Sequence, residues 1–262
     1  MLIDAHAHLD RYADPADRLD DALDEIERHE ILTVANAMDL PAYERSIEIA
    51  GDCDLIVPIF GVHPWRAPQY ADRLDDLRQP TARSAMLGEI GLDHHFVEDE
   101  AEYPAQRKVL EFFLAAASDQ DKVVHLHTKG AEAEILELLD HYEIRRALVH
   151  WYSGPLDVLQ AFVARGTYCT VGVEVLYSDH IKDVAREVPL ELLLTETDNP
   201  GGPREHLGEW GMPSLICDVV RALAAVRGTS ESAIVEAVQA NFLRLIEDDP
   251  RLSYVQARIL QS

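Results

Sequence analysis

The sequence predicts an α/β fold of the TIM-barrel type, a (β/α)8 barrel in one domain. Short apolar segments alternate eight times with longer segments whose apolar residues recur every three or four positions. Alternating strands and helices form parallel sheets, and eight such units in 262 residues suit a closed barrel better than an open, doubly wound sheet. No repeat or linker divides the chain, so we expect a single barrel domain over residues 1–262.

The eight predicted strands are short, buried segments bounded by turn or helix signals. In chain order they are Leu2–His8, Ile31–Ala37, Leu55–Val62, Ala85–Ile90, Val123–His127, Ala147–His150, Tyr168–Gly172 and Leu192–Thr197. Between them, Ala101–Asp119 and Ala131–Tyr142 show the apolar spacing of helices packed on one side. Two further helices, Pro213–Arg227 and Ser230–Ile246, are predicted to close the chain.

The composition is that of an ordinary folded domain except for its charge. Hydrophobic residues make up 47% of the chain, but 48 acidic residues stand against 23 basic ones, which gives a net charge of −25. The acidic residues are spread along predicted helices, and this pattern indicates a solvated surface. Because salt screens such repulsion, we expect the cytoplasm of a halophilic organism. The same charge disfavours an extended groove that follows a phosphate backbone.

Other sequence features indicate where the protein acts. No apolar run is long enough to cross a bilayer, and the first strand begins without a basic or apolar leader. A cytoplasmic location, no membrane association and no obligate protein partner are therefore expected. The three cysteines are widely separated and lack the spacing of a disulfide framework, which favours reduced thiols.

Residues that can bind metal ions collect at the ends of the predicted strands. Asp4, His6 and His8 share one face of the first strand by its two-residue period. Strands 4, 5, 6 and 8 end in GEIGLD, HLHTKG, HWYSG and TETDNP. A (β/α)8 barrel builds its active site at the carboxyl ends of its strands, so these segments predict a metal site there. By contrast, we interpret four isolated histidines as ordinary core or surface residues: His29, His141, His180 and His206.

These motifs carry a family resemblance. The segments DAHAHLD, GVHPW, GEIGLD, HLHTKG, HWYSG and TETDNP, in this order, resemble the TatD-type hydrolases of the amidohydrolase superfamily. The resemblance continues through AQR at 105–107 and VQANFLRLI near the end, so it covers nearly the whole chain. It implies a (β/α)8 fold, two divalent metal ions, and hydrolysis of phosphodiester bonds, often as a deoxyribonuclease.

The resemblance also implies a dinuclear site whose ligands come from five strand ends. They are His6, His8 and Asp198 for the first ion, His127 and His150 for the second, and Glu89 as a bridge between the two. A bridging anion is needed to hold two dications close together, and Asp198 is also the expected general base. Zinc, manganese and magnesium all remain candidates for the metal.

Four further polar residues are expected to support the ligands. Asp4, Asp93 and Glu196 are candidates to accept hydrogen bonds from the second ring nitrogens of the histidines, with a surface carboxylate or helix cap as the alternative. His125 shares a strand face with His127, where the family usually has an aliphatic residue. We expect His125 to be a hydrogen-bonded neighbour of the site and not a ligand.

Two residues are expected to contact the substrate. His63, in GVHPW, and Lys129, where the family commonly has arginine, are placed to bind a phosphate, with structural packing as the alternative for His63. Trp65 and Trp151 either stack on a base or pack the barrel. The segment after Asp198 is short and lacks the basic residues that the family often carries there. The expected partner is therefore a phosphodiester substrate, single-stranded or short DNA, and not long duplex DNA.

Two other functions remain open. One is hydrolysis of an amide, lactone or other small ester bond. Many barrels of the amidohydrolase type that cleave C–N bonds bridge their metal ions with a modified lysine on strand 4, whereas this chain has Glu89 there, which favours the phosphodiester reaction. The other is a protein that holds metal without catalysis, for which a free general base would be superfluous.

Overall fold

The computed structural model describes residues 1–13 and 17–262, and within them eight parallel strands alternate with helices. The strands are β1 (Leu2–Ala7), β2 (Ile31–Asn36), β3 (Ile56–Ile59), β4 (Leu87–Gly91), β5 (Val124–His127), β6 (Ala147–Val149), β7 (Tyr168–Val171) and β8 (Leu193–Thr195). Their order around the sheet follows the sequence, which confirms the predicted (β/α)8 barrel.

Regular strand pairing is interrupted at two junctions of the barrel. Continuous ladders join β1 to β3 and β4 to β8. Between β3 and β4, Phe60 and Leu87 form a single parallel bridge. Between β8 and β1, the backbone N–H of Asp198 donates to the carbonyl of His6 at 2.9 Å. These isolated contacts close the sheet on itself, and both junctions lie next to predicted metal ligands.

The helices of the described residues surround this sheet. They are α1 (Asp17–Arg28), α2 (Leu40–Ala50), α3 (Leu74–Arg83), α4 (Tyr103–Gln120), α5 (Glu132–His141), α6 (Leu156–Ala164), α7 (Asp179–Glu187), α8 (Arg204–Leu207), α9 (Leu215–Arg227), α10 (Glu231–Leu245) and α11 (Ser253–Leu260). Among these helices none is long and apolar enough to cross a bilayer. The side chain of Ser230 accepts from the N–H of Ala233 and so caps the start of α10.

The core lies between the outer face of the strands and the inner face of the helices. In α4, Val109, Leu110 and Phe113 are buried, while the charged residues of the helix face solvent. Several strands are shorter than predicted, most clearly β3 and β8. The prediction that two helices close the chain was wrong, because α11 follows them and buries Val255 and Ile259.

Candidate metal centre

The six predicted metal ligands lie together at the carboxyl end of the barrel. His6, Glu89 and His127 are the strand residues of this set, and the others follow the strands directly. The first five ligands in the chain are buried, and Asp198 is partly exposed to the cavity above them. The alternation of side chains along parallel strands aims these polar groups at one point, while their apolar neighbours face the helices.

Glu89 occupies the middle of the cluster. Its Oε2 lies 3.3 Å from His8 Nε2 and 3.5 Å from His6 Nε2. Its Oε1 lies 2.7 Å from His150 Nε2 and 2.9 Å from His127 Nδ1. Burial raises the pKa of Glu89, but the surrounding histidines outweigh this effect and hold it well below its ordinary value. Oε2 of the ionised carboxylate therefore faces one pair of imidazoles, while Oε1 faces a different pair and also lies 3.4 Å from His63 Nε2.

Asp198 completes the group around His6 and His8. Its Oδ1 lies 3.3 Å from His8 Nε2 and 3.8 Å from His6 Nε2. Its backbone is in the left-handed region at φ 53°, which aspartate tolerates better than most residues. Burial raises the pKa of Asp198, but the hydrogen bond and the charge of His8 outweigh burial and hold the pKa below its ordinary value. The carboxylate is therefore ionised and can accept a proton.

Hydrogen bonds on the outer side of two rings decide which nitrogen faces the cluster. His8 Nδ1 donates to the carbonyl of Asn36 at 2.9 Å, which leaves Nε2 turned inward. His127 Nε2 donates to Asp93 Oδ2 at 3.0 Å, which leaves Nδ1 turned inward. A histidine that binds metal through one ring nitrogen usually donates the other to such a partner.

The residues of this cluster fit metal ions. Both ring nitrogens of His6, Oε2 of Glu89 and Nδ1 of His150 are buried without a hydrogen-bond partner among the described residues. Buried polar atoms are rarely left unpaired unless an ion or water satisfies them. Ligand atoms of His6, His8 and Glu89 lie within 4.8 Å of one another. Imidazole nitrogens combined with carboxylate oxygens are a donor set for borderline divalent cations.

Asp93 links the cluster to the loops around it. Its Oδ2 accepts from His127 Nε2 at 3.0 Å and from Trp65 Nε1 at 2.7 Å. Its Oδ1 accepts the backbone N–H groups of His95 at 3.0 Å and Phe96 at 2.7 Å. Burial raises the pKa of Asp93, but these hydrogen bonds, above all that from His127, hold it below its ordinary value. The structure thus places Asp93 against a predicted ligand.

The other two predicted supporting carboxylates differ from each other. Glu196 Oε2 lies 3.7 Å from His150 Nδ1, and its Oε1 accepts the N–H of Trp151 at 2.7 Å. Asp4 does not meet a histidine ring. It accepts from the backbone N–H of His6 and from both the N–H and the hydroxyl of Thr197. Because its oxygens are used in this way, Asp4 holds the ends of β1 and β8 together.

His125 is placed differently from the expectation. It is fully buried, but neither ring nitrogen has a hydrogen-bond partner among the described residues. Its Cβ packs against Gly88, where an added Cβ would come within 2.5 Å of it. Burial and the neighbouring His6 and His150 hold the pKa of His125 well below its ordinary value, so the ring is neutral. The structure thus gives His125 no hydrogen-bond partner among the described residues, in contrast to the expectation.

The two predicted substrate residues both line the cavity above the cluster. His63 Nδ1 accepts the N–H of Trp65 at 3.2 Å, so its proton is on Nε2, which lies 3.4 Å from Glu89 Oε1. His63 is thus closer to the ligand cluster than expected, with an N–H directed into it. Lys129 Nζ donates to the carbonyl of Trp151 at 2.8 Å and to Ser153 Oγ at 2.6 Å.

The cavity has a volume of about 580 Å³ and includes residues that the sequence interpretation missed. They are Arg11, His95, Phe96, Glu174, Tyr177 and His206. Arg11 and Glu174 follow β1 and β7 closely, so the rule that sites form at strand ends could have found them. Tyr177 lies in the segment after β7 and His206 in the short helix α8, where no periodic signal marks a pocket residue. His206, interpreted as an ordinary residue, stacks on Tyr177 with 3.7 Å between ring centroids.

Comparison with known proteins identifies the family. A family sequence profile described as TatD related DNase matches residues 3–247. The chain belongs to this family. The "Uncharacterized metal-dependent hydrolase YcfH" of Escherichia coli (strain K12) is 28% identical over 259 residues, which cover 95% of this chain and 97% of the relative. The human "Deoxyribonuclease TATDN3" is 25% identical and covers 97% of this chain and 96% of its own length.

Solved structures show the same architecture. That of YJJV, a TatD homolog from Escherichia coli K12, superposes with a TM-score of 0.84 at 26% identity, over 93% of this chain and 97% of the other. A TatD family hydrolase from Entamoeba histolytica gives a TM-score of 0.80 at 19% identity. The predicted family and barrel are confirmed, and the protein is a metal-dependent hydrolase of the TatD type.

Proposed function

We propose that this protein hydrolyses phosphodiester bonds at a dinuclear centre of divalent metal ions, with single-stranded or short DNA as its substrate. The observation that supports this most is the position of Glu89, whose two carboxylate oxygens face separate groups of imidazoles. The proposed ligands are those implied by the family resemblance, with Glu89 as the bridge. The nuclease name of a human relative supports the same bond type.

Two divalent ions, whether zinc, manganese or magnesium, supply the positive charge that activates a water molecule and binds the phosphate oxygens. The protein's own part begins with Asp198. Its carboxylate is ionised, borders the cavity, and lies beside the His6 and His8 pair. Asp198 is therefore suited to accept the proton of the attacking water. Glu89, together with the inward nitrogens of the histidines, would hold the two ions in place.

His63 and Lys129 are proposed to bind the substrate phosphate. Burial lowers the pKa of His63 to about 4, so the ring is neutral and keeps its proton on Nε2, where it can donate to a phosphate oxygen. Lys129 donates hydrogen bonds to two uncharged acceptors, the Trp151 carbonyl and Ser153 Oγ, and an ammonium group has three donors. Lys129 therefore has a hydrogen left to donate and brings a positive charge to the cavity wall.

The surface charge restricts which substrates bind. A net charge of −25 repels long polyanions, and the loop after Asp198 offers few basic residues. Affinity must therefore come from contacts within the cavity, which suits small or single-stranded phosphodiesters. Binding through few phosphate contacts also depends only shallowly on salt concentration. We infer a cytoplasmic enzyme of a halophilic organism, without a membrane or an obligate protein partner, whose turnover persists from about 0.5 M salt upward.

The test is a substrate panel run with the metal-free protein and with the protein loaded with zinc, manganese or magnesium in molar salt. The panel contains a chromogenic phosphodiester, a single-stranded oligonucleotide, long duplex DNA, a lactone and an amide. We expect phosphodiester turnover that a chelator abolishes and added metal restores, with two ions bound per chain. Lactone or amide cleavage without phosphodiester turnover would assign the site to the alternative reaction. Bound metal with no turnover of any substrate would indicate a protein that only holds metal.

A further inference from the structure

Large aromatic side chains are exposed around the mouth of the cavity. Trp65 is 46% exposed, Phe96 59% and Tyr177 42%, and all three line the cavity. Exposed rings of this size are unusual on a surface with a net charge of −25, and apolar surface gathered around a pocket marks a binding site.

Trp65 and Phe96 form one side of the cavity mouth, here called the first aromatic wall. Their ring centroids are 6.2 Å apart at an interplanar angle of 83°. Asp93 fixes both, because it accepts the Trp65 indole N–H and the Phe96 backbone N–H at 2.7 Å each. The same carboxylate accepts from the ring of His127. The first aromatic wall therefore stands at a fixed position relative to a proposed metal ligand.

Tyr177 and His206 form a second aromatic wall. Their rings are stacked at 3.7 Å with an interplanar angle of 20°. Tyr177 follows β7 and His206 follows β8, whereas Trp65 follows β3 and Phe96 follows β4. Because the strands run in sequence order around a closed barrel of eight, β3 and β4 lie opposite β7 and β8. The two walls thus flank the metal-capable cluster from opposite sides.

We propose that the two aromatic walls bind nucleobases of single-stranded DNA on either side of the phosphate held at the cluster. This inference rests on the proposed function and assigns it two base-binding subsites. Aromatic side chains stack on the faces of any base, and stacking does not need the long-range positive charge that this surface lacks. Bases in a duplex present their faces to one another, so the walls select single strands.

The experiment compares two fluorescently labelled single-stranded oligonucleotides with the same backbone. One carries normal bases, and the other has abasic sites at the two positions that flank each cleavable phosphate. Binding is measured by fluorescence anisotropy in the presence of a chelator, and KM and kcat are measured after metal is restored. The variants are Phe96→Ala and Phe96→Leu, and the matched control is Tyr254→Ala, an aromatic residue 52% exposed on α11 and outside the cavity lining.

We expect the wild-type protein to bind the base-bearing strand more tightly than the abasic one. Phe96→Ala should weaken that binding at least about fivefold, the lower limit for loss of a stacked base. It should leave binding of the abasic strand unchanged, and Tyr254→Ala should change neither. Phe96→Leu keeps an apolar side chain without a π face and should resemble Phe96→Ala. Because Phe96 is largely exposed, the thermal midpoint of both variants should match wild type.

Equal binding of the two strands by the wild-type protein overturns the base-binding walls, even if both strands are cleaved. Equal weakening of both strands by Phe96→Ala also overturns them. A third result is possible, in which the protein cleaves neither strand with any metal but binds the base-bearing strand more tightly in chelator. This result supports the aromatic walls and refutes the proposed hydrolysis. The two proposals can therefore fail separately.

Discussion

Substituting Asp93 by asparagine tests how the cluster is held in place. Four N–H groups converge on the two oxygens of this carboxylate, from the side chains of His127 and Trp65 and from the backbones of His95 and Phe96. An amide of the same shape accepts at its oxygen only, and its NH2 group then faces two other donors. The substitution therefore removes two hydrogen bonds to a charged acceptor and leaves their donors unpaired.

The magnitude follows from these bonds. A hydrogen bond to a charged group contributes about 1.5–3 kcal/mol, so we expect Asp93→Asn to lower the free energy of unfolding by about 3 kcal/mol after local relaxation. Loss of the partner that orients a metal-binding histidine typically weakens metal affinity about 10- to 100-fold. Both effects should occur together, because one carboxylate oxygen serves both His127 and Trp65.

Denaturant unfolding of the metal-free protein measures the first effect, and competitive metal titration measures the second. The pKa of Asp93 is below its ordinary value, so its contribution to stability is present above about pH 4 and is lost as the pH falls further. The difference in free energy of unfolding between wild type and Asp93→Asn should therefore shrink as the pH falls. The control is Asp99→Asn, which replaces a cap that asparagine fills equally well. Metal affinity and stability within error of wild type in Asp93→Asn would refute this account.

Three further outcomes are expected. Asp198→Asn should remove nearly all turnover, while thermal unfolding shows an intact fold. Activity within tenfold of wild type in a turnover assay would mean that another residue is the base. His125→Val removes two unpaired buried nitrogens, so it should raise the free energy of unfolding measured in denaturant by about 1 kcal/mol. The variant should keep the metal affinity of wild type, and loss of metal binding would show that His125 is a ligand. Lys122 is buried, and burial lowers its pKa to about 8. The folded protein then binds fewer protons than the unfolded chain between about pH 8 and pH 10.5, so its stability relative to Lys122→Met should rise by about 3 kcal/mol across that range. A constant difference in denaturant midpoints over that range would contradict the lowered pKa.

The barrel and the gathering of the proposed ligands could be predicted because both depend on regular features. The two-residue period of β1 puts His6 and His8 on one face, and parallel strands in sequence order bring their carboxyl ends together. A polar residue at such an end is therefore close to the others, whatever the loops do. This holds for Glu89, His127 and His150 as well.

The remaining details depend on interactions that leave no periodic pattern. Asp4 accepts hydrogen bonds from backbone N–H groups at the ends of β1 and β8 instead of from a ring, because these N–H groups need an acceptor where the two strands meet. His125 lies in the interior with no hydrogen-bond partner among the described residues, and its Cβ packs against Gly88, which has no side chain there. Tyr177 and His206, the latter in the short helix α8, meet only through the course of the segments that follow β7 and β8. No local sequence pattern predicts such tertiary contacts.

The closure of the barrel between its first and last strands has a thermodynamic consequence. The hydroxyl of Thr195 donates to the carbonyl of Ile3 at 2.6 Å, across 192 positions of the sequence, and no continuous ladder joins β8 to β1. His6 and Asp198 lie on the two sides of this junction. A cation held by both, as in the proposed site, would tie together the first and last strands of the barrel. Its binding energy then adds to the stability of the closed barrel, by about 2.7 kcal/mol at a hundredfold excess over its Kd. Metal supply would then act on the stability of the folded chain as well as on the chemistry of the site.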